Sequence, residues 1–515
     1  MWSSLDREQK DKYKRLITNF ASLSKAFAQK SSEDKIIAPI INSKFQESVF
    51  KYSFNAIIED IGNSSYDASV ILEDNTKYIV GIKSFGVKAS FQKVAQFKAD
   101  SQKENWNRIT DRIKERNTGG KSSEDTKDYL ELAQKIAILR NKRISSSKSQ
   151  LQGFNYDETV QAVYHVLMPS PAIKKQNKVA EPYILVGETS YSSIDIENIK
   201  IEGPTQPEKL QNFQFFDGKH RYQYNSADSQ LLMSFRGHDG SSSTNADLEV
   251  ERWPVEYIDD ALAFFEKIKN TAEKHEDSII DSVTFMINIK RRSGFNAWYG
   301  SPKDKLRIDG KRVKKVLELA SEDDSLPVDW IINFKKIVLG NFKTNEEKIK
   351  REELRDQLIN ELDRSSELFN EVTSILWRNY KTPYEVYIPI PDSKNFNNKK
   401  PNFFAPKAGI LKGKSLVTPK EERIFDLIFL PSGENMKMFL NQDNGKAIQS
   451  VNSQFIFGEW VLKNIFQLKD RELLTEDTLE SIGINAIRFV KYSDRPLSAI
   501  FIYVDKENPP EDLWE

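Results

Sequence analysis

Leu5, Tyr13, Leu16, Ile17, Phe20 and Leu23 recur at helical spacing and predict an amphipathic helix over residues 4–30. Phe45, Val49, Tyr52 and Ile57 do the same for a second helix over 44–59. The apolar period then shortens towards two. Segments 66–73 and 77–85 are β-rich and flank Asp74–Asn75, a hairpin signal. Residues 90–143 read as long polar helices split at Thr118–Gly119–Gly120. Residues 150–250 are strand-rich in QAVYHVLM, EPYILVG, HRYQYN and SQLLMSF, and Gly237–Asn245 has loop composition. A helix over 257–270, a strand over 282–290 and one charged helix from Asn345 to Trp377 follow, stopped by Pro383. From 384 onwards the pattern is mostly β, with one helix near 456–466, and suggests a compact barrel. The acidic, Pro-containing tail over 505–515 is expected to fray. The expectation is an α+β multidomain chain with an α/β region at 1–150, a mixed β/helical middle at 151–383 and a β module at 384–515.

Charge and composition narrow the chemistry. Lys and Arg number 76, as do Asp and Glu, so a generally basic coat protein is excluded but a local basic groove is not. The absence of Cys removes disulfides, Cys–His zinc sites, iron–sulfur clusters and thiol nucleophiles. His165, His220, His238 and His275 lack zinc-ligand spacing, and no GxxxxGK[ST] loop is encoded. No apolar run approaches the ~20 residues of a membrane span, and the charged start has no signal core, so a cytoplasmic location is expected.

Three residues around the predicted hairpin suggest phosphodiester chemistry. Asp67 opens one strand, Lys83 lies near the end of the next, and Glu47 sits on the preceding helix. Carboxylates hold Mg²⁺, the ion lowers the pKa of an attacking water, and a lysine orients that water or offsets phosphate charge. In YDASVIL and VGIKSFG this layout resembles the PD-(D/E)xK nuclease superfamily over residues 40–100. Tyr66 replaces the Pro of the motif, and Gly81 occupies the place of its second acid. The resemblance implies Asp67 and Glu47 as metal ligands, Glu104 as a second candidate acid, and Lys83 as the catalytic lysine. Gln92, Lys93, Gln96 and Lys98 are expected to open the next helix near phosphates. His220, Arg221, Tyr224 and Asn225 are candidates to line a site in the middle region.

Residues 290–315 hold ten Lys and Arg against two Asp, interleaved with Phe295, Trp298 and Tyr299. Cations displace counterions from phosphates and aromatic rings stack on bases, so Arg291, Arg292, Trp298 and Lys303 are candidate DNA contacts. Beyond residue 384, Lys394, Asn395 and Asn397 crowd one segment, and Asn441, Gln442, Asn444, Lys446 and Gln449 crowd another. Asn and Gln pair with adenine, and Lys donates to guanine. YEVYIPIPDSKNF, FDLIFLPSG, MKMFLNQDNGKAIQS and FGEWVLKNIF resemble the B3-like DNA-recognition domain of some type II restriction endonucleases. The resemblance covers 384–504 and implies a pseudobarrel whose arms, Pro391–Phe404 and Asn441–Ser450, grip the major groove.

Together these readings suggest a type II-like restriction endonuclease that cuts double-stranded DNA with Mg²⁺. A companion DNA methyltransferase and a possible homodimer accompany that expectation. A non-catalytic DNA-binding protein or specificity subunit with a degenerate nuclease fold stays open, as does action on RNA or modified DNA.

Overall fold

The computed structural model describes residues 1–27, 35–57, 66–154, 159–174, 181–237, 242–258, 260, 279–299, 310–376, 384–441, 444–451, 454–470 and 472–514. The helix expected over 257–270 falls largely outside these.

The amphipathic stripe at the start forms α1 (Arg7–Ser22), capped by Asp6, whose carboxylate accepts from the Gln9 N–H at 2.9 Å. Asn42 caps α2 (Ser43–Phe54) in the same way, and Asn55 ends it in the left-handed conformation. The hairpin forms where the period predicts it, as β1 (Ala68–Ile71) and β2 (Lys77–Ser84), with Asn75 at φ 64° in the turn. β3 (Phe91–Gln96) is a strand where a helix was expected. After α3 (Asn107–Arg116), a Ser122–Asp125 capping box opens the 30-residue α4 (Ser123–Gln152). The next strands are β4 (Val160–Pro169), β5 (Tyr183–Ser190), β6 (Lys200–Pro204), β7 (Phe213–Phe216), β8 (Arg221–Asn225), β9 (Gln230–Ser234) and β10 (Glu249–Pro254).

These strands make two five-stranded sheets. The first has the order β1-β2-β4-β5-β10, with β2 and β4 parallel and the other pairs antiparallel. The second, β3-β9-β8-β7-β6, is an antiparallel meander closed by β3. Strand alternation splits the first sheet between two cores. Ala68, Val70, Tyr78, Val80 and Ile82 pack with α1 and α2. Ile79, Tyr164, Val166 and Met168 face α4 and the second sheet.

The remainder gathers around a third core. β11 (Ile279–Met286) is followed by α5 (Lys311–Ser321), α6 (Trp330–Leu339), α7 (Asn345–Asn360) and α8 (Glu367–Leu376). The charged helix expected to run unbroken from 345 to 377 is thus two helices. The Asp363 carboxylate accepts from the Ser365 N–H at 2.9 Å in the turn between them. Then come β12 (Ile388–Pro389), α9 (Ser393–Lys399), a small hairpin β13 (Leu411–Lys412) and β14 (Ser415–Leu416), β15 (Ile424–Phe429), β16 (Glu434–Asn441) and β17 (Ala447–Ser450). A π-helical turn over Trp460–Ile465, α10 (Glu476–Ile482), β18 (Ala486–Tyr492) and β19 (Leu497–Ile502) complete the chain.

The large sheet runs β11-β18-β19-β15-β16-β17-β12, and no barrel closes among the described residues. Its edge strand β11 comes from the region expected to be separate, because Val283 and Phe285 need the same apolar cover as Phe489 and Phe501. The middle region is therefore shared: its first half completes the N-terminal sheets, and its second half packs with the C-terminal one. The tail is tied rather than frayed. Thr284 donates its N–H to the Asp512 carbonyl at 2.8 Å, and the Trp514 N–H returns to Thr284 at 2.9 Å.

α4 joins the two halves. The Trp460 indole donates to the Ser149 carbonyl at 3.1 Å, and Phe154 packs edge-on against Trp460. Arg143 reaches both sides, donating to Gln96 O and Asp100 at one end and Ser481 O at the other. Among the described residues no helix is long and apolar enough to cross a membrane.

Candidate active site and nucleic-acid surface

The ladder of β1 and β2 brings Asp67 and Lys83 together. Asp67 lies one residue before β1, and its N–H bonds the Val80 carbonyl at 2.9 Å. Its Oδ2 accepts from the Ile82 N–H at 2.6 Å and from Lys83 Nζ at 3.2 Å. Both side chains remain about one-third exposed, at 31% and 29%. Neither belongs to the α1–α2 face, since Ala68, Val70, Val80 and Ile82 alternate with them on that side.

Glu47 does not join this pair. It rides on α2, which covers the opposite face, and its carboxylate takes Lys44 of the same helix at 3.1 Å. The α2 residue that reaches the centre is Gln46, fully buried, whose amide donates to the Lys83 carbonyl at 3.4 Å. Gln46 braces the end of β2 from behind. Glu104 is also elsewhere, bonded to the Trp106 indole and to Lys135.

Two stacked tyrosines lie beneath Gly81. Tyr164 and Tyr191 stand 4.3 Å apart at 21°, and the Arg140 guanidinium lies 5.2 Å from the Tyr191 ring. Burial raises both phenol pKa values above the ordinary range, so these groups are neutral at physiological pH. Arg140 is 2% exposed and donates to the Ser192 carbonyl at 2.8 Å.

Mg²⁺ binds through one or two carboxylates together with substrate phosphates and water. Asp67 Oδ1 carries no hydrogen bond among the described residues, so this centre fits the one-carboxylate form. Glu47 holds Lys44 and Glu104 holds Lys135, and among the described residues no three His, Asp or Glu side chains are placed together to hold a metal ion.

The expected phosphate-facing helix start is the strand β3. Gln92 and Lys93 pair with Met233 and Leu232 of β9, and Lys93 Nζ bonds Gln96 at 2.8 Å. In the meander, His220 and Tyr224 are buried and Arg221 pairs with Glu202 at 2.7 Å.

The basic middle segment is more structural than its composition suggested. Trp298 is 3% exposed and belongs to the third core, so it is not a base-stacking surface. Arg292 is held at 2.6 Å by Glu352, a buried carboxylate that needs a counter-charge. Arg291 is exposed, and Lys303 lies outside the described residues.

In the C-terminal module the two expected arms meet. Asn397, 1% exposed, donates its amide to the carbonyls of Asn444 at 3.0 Å and Gly445 at 3.3 Å. It is a clamp between arms rather than a base reader. Gln449 is also buried, and its carbonyl oxygen accepts from the Asn441 amide. Lys394 and Lys446 are exposed, Asn395 and Asn444 half-buried, and Gln442 lies outside the described residues.

Beside the arms stands a feature that the sequence reading passed over. The β13–β14 hairpin turns at Gly413, φ 68°, and carries the exposed residues Lys407, Lys412 and Lys414 at and near it. These lysines make no ion pair among the described residues. Leu416 of the same hairpin packs against the Gly445 turn. The signal was present in KAGILKGKS, three lysines without an acid.

A scan of the chain against models of known protein families matches none. A search of curated proteins likewise returns no match.

Proposed function

We propose that this chain is a sequence-specific endonuclease for double-stranded DNA, of the restriction type, working with Mg²⁺. The observation that carries the proposal is the Asp67–Lys83 pair, 3.2 Å apart at the open end of a sheet hairpin and accessible to a polyanion. Asp67 would hold the ion together with a phosphate oxygen of the DNA. When bound, Mg²⁺ supplies Lewis-acid polarisation of the phosphate and a more acidic water. Lys83 orients the attacking water or offsets the charge that grows on phosphorus. Lys394, Asn395, Asn444 and Lys446 read bases from the joined arms, while Lys407, Lys412, Lys414 and Arg291 take phosphates. Cutting both strands calls for a second copy or a second encounter, and restriction calls for a methyltransferase that protects host DNA.

Incubation with unmethylated phage DNA, with and without Mg²⁺, tests this. Discrete Mg²⁺-dependent fragments are expected; intact DNA under every condition would overturn the nuclease reading.

Gly81, in place of the second acid, favours a second reading, a DNA-binding protein without cleavage. Retardation of intact DNA in a gel shift, unaffected by Mg²⁺, would select it.

A further inference from the structure

Gly81 is confined by space rather than by backbone conformation. An ideal Cβ there would lie 2.5 Å and 2.6 Å from Cδ1 and Cε1 of Tyr164 and 3.6 Å from Cδ1 of Tyr191. The parallel ladder is the reason: Gly81 and Tyr164 are direct partners in β2 and β4, so their side chains share one face. Tyr164 has no room to swing away. It is stacked on Tyr191, meets Phe235 edge-on at 5.1 Å, and is 1% exposed.

From this packing we infer that Tyr164 limits the number of acidic ligands, and so the affinity, that the centre offers a divalent cation. Its ring fills the volume that a second carboxylate on β2 would need, leaving Asp67 as the acidic ligand of that hairpin. The inference rests on the proposed reading of Asp67 and Lys83 as the nuclease centre. It treats Gly81 and Tyr164 as a matched pair, so neither can change alone. A carboxylate at position 81 requires a small residue at position 164, and that exchange roughly conserves volume.

Mn²⁺ titration of the full chain, with free ion counted by electron paramagnetic resonance, tests the pair without requiring turnover. Wild type is expected to bind Mn²⁺ weakly, through a site lost in Asp67→Asn. The double variant Gly81→Glu/Tyr164→Ala should bind Mn²⁺ at least about 10-fold more tightly, because affinity follows the number of charged ligands. Unchanged affinity in a folded double variant would overturn the inference. Thermal unfolding checks the steric premise independently of the metal. Gly81→Ala should lower the Tm of wild type and have no such effect in a Tyr164→Ala background; a wild-type Tm for Gly81→Ala would overturn it as well. Tighter Mn²⁺ binding in the double variant, with no cleavage by any form of the protein, would keep the inference and remove the nuclease reading.

Discussion

The hairpin centre and the C-terminal arms both bring polar residues together, but by different means. Asp67 and Lys83 are 16 residues apart, and one antiparallel ladder sets them side by side. Asn397 and Asn444 are 47 residues apart and meet only because α9 docks on the turn between β16 and β17. The hairpin pair is about one-third exposed, where an ion pair contributes roughly 0–1 kcal/mol. The Asn397 amide is buried, and its loss would strand two carbonyls. The exposed Asp67–Lys83 charges are thus free to change with little effect on folding, whereas the arms hold their shape through the residue that first resembled a reader.

The largest test of that contrast is Lys83→Ala. Cleavage is expected to fall by about 10³-fold, the scale of removing one transition-state contact. DNA retardation and Tm should stay close to wild type; full activity would remove Lys83 from the centre. Asn397→Ala should do the reverse. Urea unfolding is expected to show a loss of about 2–3 kcal/mol, from two stranded carbonyls and a small void. DNA affinity should fall with it, as the arms lose their clamp. An unchanged urea midpoint would show that the arms do not depend on Asn397.

Acid should separate the two halves. His165 is fully buried with Tyr13 at 3.1 Å, and burial lowers its pKa to about 3. Below its unfolded value of about 6.5 the unfolded chain takes a proton that the folded chain refuses. Stability of the N-terminal half is therefore expected to fall between pH 6.5 and 3, by about 1.4 kcal/mol per pH unit at the steepest. Residues 384–515 contain no histidine. His165→Phe should flatten the acid limb seen by N-terminal probes; an identical limb in that variant would sink the assignment. The smallest effect is the finest test. Lys412→Ala and Lys414→Ala should each reduce the slope of log affinity against log salt by about 1 and leave base preference unchanged. An unaltered slope would take the β13–β14 hairpin off the DNA.

The hairpin was legible because its signals are local: alternation in Tyr66–Glu73, a turn at Asp74–Asn75, and residues near its strand ends with opposite charge. β3 was not. FQKVAQ carries little apolar alternation, and its partner β9 lies more than 130 residues away, where Gln96 pairs with Gln230. The burial of Trp298 and the Arg292–Glu352 pair were not legible for a related reason. Composition gives their charge and ring, but only the packing of α7 supplies the buried Glu352 and the apolar cover.

By itself the sequence determined the α+β mixture, the α2–hairpin unit, the pairing of Asp67 with Lys83 and the polar character of the C-terminal arms. Each follows from periods and turns that act within about 20 residues. Tertiary structure alone decided that Glu104 meets Lys135, that Tyr164 lies against Gly81, that Asn397 clamps the two arms, and that β11 completes the last sheet. Those outcomes depend on which faces of distant segments compete for the same buried volume, and volume is not written in any local pattern.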